Sequence, residues 1–170
     1  MVELPDLPMS SSLFLGTHSA TIDAEGRIQL PAPLRDELNL RQPEFRFVAT
    51  LDGDGSICLR EREHWEGWAR TLVAEAPRDQ QARATLLTIA AHSAPVKCDR
   101  QGRIRVPDAL LALVGIDRRD TDSREVVLVG GFEEIRLWSP AGWEPFADRA
   151  RAELGVGLDR LLGGAPPAVE

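Results

Sequence analysis

The chain repeats itself at long range. Asp23-x-x-Gly26-Arg27-Ile28-x-Leu30-Pro31 returns 76 positions later as Asp99-x-x-Gly102-Arg103-Ile104-x-Val106-Pro107. Farther along, Ile57-x-Leu59 and Trp65 return as Ile135-x-Leu137 and Trp143 with an offset of 78. A unit of about eighty residues is therefore present twice, with two residues of net insertion in the second copy. Solenoids stack three or more short units, so two long ones predict either a single pseudo-symmetric domain or a tandem pair. Whatever surface device the unit carries is offered twice.

Each copy predicts the same local plan. From Leu13 onward the chain reads as a strand, a tight turn at Ala24-Glu25-Gly26 and a second strand to Leu30, with Gly26 supplying the left-handed backbone of a bulged hairpin. Pro31 and Pro33 then suit a helix start, with Leu34 and Leu38 on one face. Two strands flank the turn signal Asp52-Gly53-Asp54-Gly55, and a helix follows from about Glu63 with Trp65, Trp68, Leu72 and Ala76 on one stripe. Pro77 ends it, and residues 79–92 form a further helix. The second copy predicts strands up to Asp99 and on to Val106, a helix over 107–114, strands over 125–129 and 134–138, and a helix from about Pro140. The domain plan is thus a flexible segment 1–12, a first repeat 13–76, a helical connector 77–93, a second repeat 94–150, and a C-terminal tail 151–170 that frays after Gly155 toward Gly163-Gly-Ala-Pro-Pro-Ala.

Bulk properties limit the function classes. Apolar residues at 43% and charged residues at 28% describe an ordinary globular chain, and no apolar run reaches the length of a membrane span. A signal-peptide pattern is absent from the first residues, which predicts a cytoplasmic protein. Cys58 and Cys98 form no C-x-x-C pair and are expected to be reduced and buried. Neither they nor His18, His64 and His92 show metal-ligand spacing, so no metal and no cofactor is expected. The net charge of −7 argues against indiscriminate polyanion binding. Charge is nonetheless uneven: residues 96–119 hold six cations against three carboxylates, whereas 21–41 hold three against four.

The recurrent Asp, Gly and Arg admit several readings. Asp can accept from the turn's amides while Arg pairs with it across the loop, which would serve the fold alone. The same bracing would preorganise a guanidinium for phosphate or for the guanine edge. A third reading makes Asp23 and Asp99 a protease-like carboxylate dyad. The following residues, Ala24-Glu25 and Arg100-Gln101, lack the Thr/Ser-Gly buttress, and an Arg four residues on lowers both carboxylates rather than splitting them. No nucleophile sits in a recognisable elbow, so no enzyme activity is expected. Asp52-Gly53-Asp54-Gly55 lacks the bidentate Glu of a calcium loop. Trp65 and Trp143, at equivalent repeat positions, suit packing better than a stacking platform.

Taken together, Phe14-x-Gly16, the first Asp23/Arg27 motif with Pro31, Arg35, the second Asp99/Arg103 motif with Pro107, Val129-Gly130 and Ile135-x-Leu137-Trp138 resemble the MraZ family of bacterial transcriptional regulators, over roughly residues 13–150. The resemblance implies an α+β fold in which two tandem pseudo-symmetric repeats form a double-psi/swapped-hairpin AbrB-like barrel with flanking helices. It implies homo-oligomeric rings that bind short repeats of double-stranded promoter DNA ahead of the division and cell-wall gene cluster, in a nucleoid-associated protein with no small-molecule substrate. Carried over by position, the DNA-contacting pairs are Asp23 with Arg27 and Asp99 with Arg103. The family commonly carries a basic residue just before the motif's glycine, where this chain has Glu25 and Gln101; Lys97, Arg100 and Arg105 are the cations that can substitute in the second copy. The other reading of a different class is a ring-forming scaffold whose Asp–Arg pairs only stabilise the fold.

Overall fold

The computed structural model describes residues 13–38 and 45–163; the lead-in expected over 1–12 and the end of the tail, 164–170, lie outside the described residues. In chain order the elements are β1 (Thr17–Thr21), β2 (Ile28–Gln29), α1 (Ala32–Asp36), β3 (Phe45–Leu51), β4 (Ile57–Glu61), α2 (Arg62–Glu75) and α3 (Gln80–Ala91). There follow β5 (Ser93–Cys98), β6 (Arg103–Ile104), α4 (Asp108–Leu113), β7 (Glu125–Gly130), β8 (Glu134–Trp138), α5 (Pro140–Ala152) and α6 (Leu154–Leu161).

All eight strands join one antiparallel sheet in the order β1-β7-β8-β4-β3-β5-β6-β2. A bridge between Ile22 and Ile28 brings its two ends together, so the sheet is a nearly closed barrel. The pairing interleaves the halves. β1 of the first copy lies on β7 of the second, and β5 of the second lies on β3 of the first. Neither half can complete its sheet alone, which decides between the two architectures: this is one swapped-hairpin barrel of α+β class, not a tandem pair.

Two seams mark the pseudo-twofold axis. At one, Ile28 pairs with Ile104, its own repeat mate 76 residues away. At the other, Cys58 pairs with Arg136, mates at the offset of 78. Period-two alternation turns Ile22, Ile28, Leu30, Ile57, Leu59, Cys98, Ile104, Leu128, Ile135 and Leu137 into the barrel, each at most 1% exposed. Complete burial of a side chain of this size contributes roughly 1.5–3 kcal/mol of transfer free energy. α1 and α4 seal the barrel with Leu34, Leu110 and Leu111. Near the β7–β8 hairpin, a Cβ at Gly130 would run into the backbone of Phe14 and Leu15, which is why the strand carries glycine there.

α2, α3, α5 and α6 contribute no fully buried residue. The Trp65 indole donates to Thr50 Oγ1 at 2.8 Å, and Trp138, Trp143 and Phe146 form one aromatic cluster, so these tryptophans pack. The chain expected to fray after Gly155 is instead helical through Leu161. Leu154, Leu158 and Leu161 recur at helical spacing around Gly155 and Gly157, an apolar stripe that outweighs the glycine signal. Among the described residues, no helix is long and apolar enough to cross a membrane.

Candidate nucleic-acid interface

The two Asp–Gly–Arg turns have nearly superimposable wiring. In the first, Asp23 Oδ1 accepts from the amides of Glu25 (3.0 Å) and Arg27 (2.8 Å), and Oδ2 accepts from Arg27 Nε at 2.7 Å. In the second, Asp99 Oδ1 accepts from the amides of Gln101 (2.9 Å) and Arg103 (3.0 Å), and Oδ2 from Arg103 Nε at 2.8 Å. Gly26 and Gly102 sit at φ 80 and 75, backbone that a side chain disfavours. Each Asp is therefore occupied by the turn's own donors and engages its Arg through Nε, not through the terminal nitrogens.

This wiring explains the acidity of the two carboxyls. The Arg27 amide, with the Arg27 guanidinium and the Glu25 amide, holds Asp23 below the usual carboxylate range against a smaller effect of partial burial. At Asp99, partial burial is the largest influence and acts upward; the amides of Arg103 and Gln101 and the Arg103 guanidinium together outweigh it, and the carboxyl again lies low. Both Asp residues are ionised and engaged with separate Arg partners, so they do not share a proton as a protease dyad would.

Because β2 and β6 pair at the pseudo-dyad, the two turns open onto a common depression of about 770 Å³. Its lining includes Arg27, Lys97, Arg100, Arg103 and Arg105, with only Glu25 and Asp99 as anionic members. Six of the seven residues singled out from the sequence thus share one groove, and Asp23 stands directly behind Arg27. A chain of net charge −7 has gathered five cations at one place.

The halves also brace each other's turns, through residues the sequence reading did not assign to the site. Arg118, from the loop after α4, donates Nη1 to the Ala24 carbonyl at 2.9 Å while its Nε is held by Asp108. Gln29 donates Nε2 to the Gln101 carbonyl at 2.8 Å, and Arg35 lies across Gly102, where a Cβ would collide with it. Gln29 is the repeat mate of Arg105, so mapping the second copy's candidates back onto the first would have found it. Nothing in the spacing signals Arg118.

The turns differ in one further contact. Glu25 Oε2 takes Arg27 Nη2 at 2.9 Å. The corresponding residue of the second turn, Gln101, makes no such pair, and among the described residues nothing takes up the terminal nitrogens of Arg103. The Arg27 guanidinium is held more firmly protonated than usual, first by the hydrogen bond to Asp23 and further by Glu25.

Elsewhere, Asp52 and Asp54 bind Arg136 at 2.8 and 2.6 Å, which gives the Asp52–Gly55 turn a structural use for its carboxylates. Cys58 and Cys98 are both free, buried thiols; Cys98 lies in the barrel core, where burial pushes its thiol up to about 12, whereas Cys58 faces the opposite side of its strand and donates to Glu134 Oε2 at 3.1 Å.

A family model described as "MraZ protein, putative antitoxin-like" matches residues 13–88 and again 89–162. Among curated proteins, a protein named transcriptional regulator MraZ from Thioalkalivibrio sulfidiphilus is 31% identical over 131 residues, 77% of this chain and 83% of the relative. One of the same name from Lachnoclostridium phytofermentans is 32% identical over 132 residues, 78% and 85% of the two chains. Another, from Corynebacterium efficiens, is 28% identical over 152 residues, 89% and 99%. With both repeats matched and the swapped-hairpin barrel in place, the chain belongs to the MraZ family.

Proposed function

We propose that this protein is a DNA-binding regulator of transcription that grips duplex DNA through the groove between its two Asp–Gly–Arg turns. The observation that carries this reading is the convergence of two Asp-braced Arg residues and three further cations in one open groove on an acidic chain. The names of its relatives as transcriptional regulators support a binding role rather than catalysis. A guanidinium whose Nε is already fixed presents its Nη edge in one orientation, which suits phosphate oxygens or the O6/N7 edge of guanine. Asp23 and Asp99 orient; Arg27 and Arg103 contact; Lys97, Arg100 and Arg105 add phosphate contacts.

A handful of phosphate contacts binds weakly at cellular salt, the more so against seven net negative charges. Affinity then comes from several copies acting together on regularly spaced promoter repeats, as a ring would allow. Leu154, Leu158, Leu161 and Leu162 of the α6 region are all exposed and lie on one helical face, an apolar stripe that supports self-association. The target in this reading is the promoter of the division and cell-wall gene cluster, and the protein resides on the nucleoid.

The scaffold reading draws on the same hydrogen bonds, since the Asp–Arg pairs also close the barrel turns. Gel-shift titration and footprinting on the DNA upstream of its own gene separate the two. The regulator reading expects the Arg27→Ala, Arg103→Ala double variant to keep its oligomeric state and circular-dichroism melt while losing the shift. A wild-type protein that leaves that DNA unprotected, with the double variant losing only its fold, would sink it.

A further inference from the structure

We infer that Glu25 is an internal competitor for the ligand of Arg27, a carboxylate that sits where a DNA phosphate would and so mutes the first turn relative to the second. The inference rests on the nucleic-acid reading above. Three observations carry it. Glu25 Oε2 occupies Arg27 Nη2 at 2.9 Å, the edge left outward once Asp23 has taken Nε. The Glu25 side chain is 63% exposed and lines the shared groove, so it meets any polyanion that enters. At the equivalent place the second turn has a neutral amide, Gln101, and among the described residues its Arg103 is braced by Asp99 alone.

The consequence is a two-level site. For DNA to use Arg27, a phosphate oxygen must displace the Glu25 carboxylate and then sit beside it, a like-charge neighbour in the same groove. Arg103 carries neither cost. An exposed ion pair is weak enough to be displaced, so Glu25 attenuates rather than blocks.

Fluorescence anisotropy with the full-length chain and a labelled duplex from upstream of its own gene tests this, at several salt concentrations. Glu25→Gln should tighten binding about twofold to fivefold, the range of an exposed ion pair, and steepen the log K against log salt slope by roughly 0.9, one added phosphate contact. Glu25→Ala should reproduce the gain, and Arg27→Ala should abolish it in the double variant. A gain that survives Arg27→Ala reflects general charge relief and overturns the inference. No gain, while Arg103→Ala still loses binding, overturns it and leaves the DNA reading standing. No binding by wild type or by any variant overturns both.

Discussion

The turns at 23–27 and 99–103 share a backbone, an Asp brace and a left-handed glycine, yet they differ in what surrounds the guanidinium. Arg27 is held between Asp23 and Glu25, whereas among the described residues Arg103 has Asp99 alone and stands among Lys97, Arg100 and Arg105. The difference teaches that the residues that build the turn leave its charge setting open to change. Asp, Gly and Arg build the turn, and the residue before glycine, together with the flanking cations, sets the charge around the Arg. A duplicated unit can thus keep one architecture while its two copies diverge in the charge around the shared Arg.

The comparison breaks most sharply at the Arg residues themselves. Arg103→Ala should weaken binding of upstream duplex by about tenfold to a hundredfold, the range for losing a well-placed guanidinium contact, and Arg27→Ala by only about threefold, since its Nη2 is already engaged. Equal losses in parallel titrations would remove the asymmetry. Next in size, Gln101→Glu should impose the first turn's restraint on the second and weaken binding about twofold to fivefold; an unchanged Kd would show that the residue before glycine does not set availability.

The smallest effect concerns acid. Both Asp carboxyls are lowered in the folded chain, so their contribution to stability is fully present above the unfolded value of about 3.9 and is lost as pH falls through the lower folded values. Thermal melts between pH 5 and pH 2 should therefore show a shallower loss of Tm for Asp23→Asn and Asp99→Asn than for wild type. A steeper loss in the Asn variants would reverse the assigned sign.

Much of the local structure was legible before any coordinates. The Gly26 and Gly102 turns, the helices that follow Pro31 and Pro107, and the β3–β4 and β7–β8 hairpins all follow from residue chemistry within a few positions. The helix at Leu154–Leu161 is not legible in the sequence, where Gly155 and the Gly/Pro-rich end signal a break and the Leu spacing that forms it spans only two turns. Arg118, Arg35 and Gln29 were not assigned to the site because each acts on the opposite half's turn, across 94, 67 and 72 positions respectively. No local pattern encodes such a contact.

By itself the sequence determined that there would be two Asp-braced Arg turns, because the bonds that make each one lie within four residues and need only Asp, Gly and Arg at that spacing. Only the tertiary structure decided that the two turns share a groove. That required β1 and β5 to exchange halves and Ile28 to meet Ile104 at the pseudo-dyad, pairings selected by burial of the barrel's apolar faces over long chain separations. The charge contrast between the copies was written in the chain from the start. At the site it takes the form of Glu25 closing on Arg27 at 2.9 Å, whereas among the described residues Gln101 makes no such pair with Arg103.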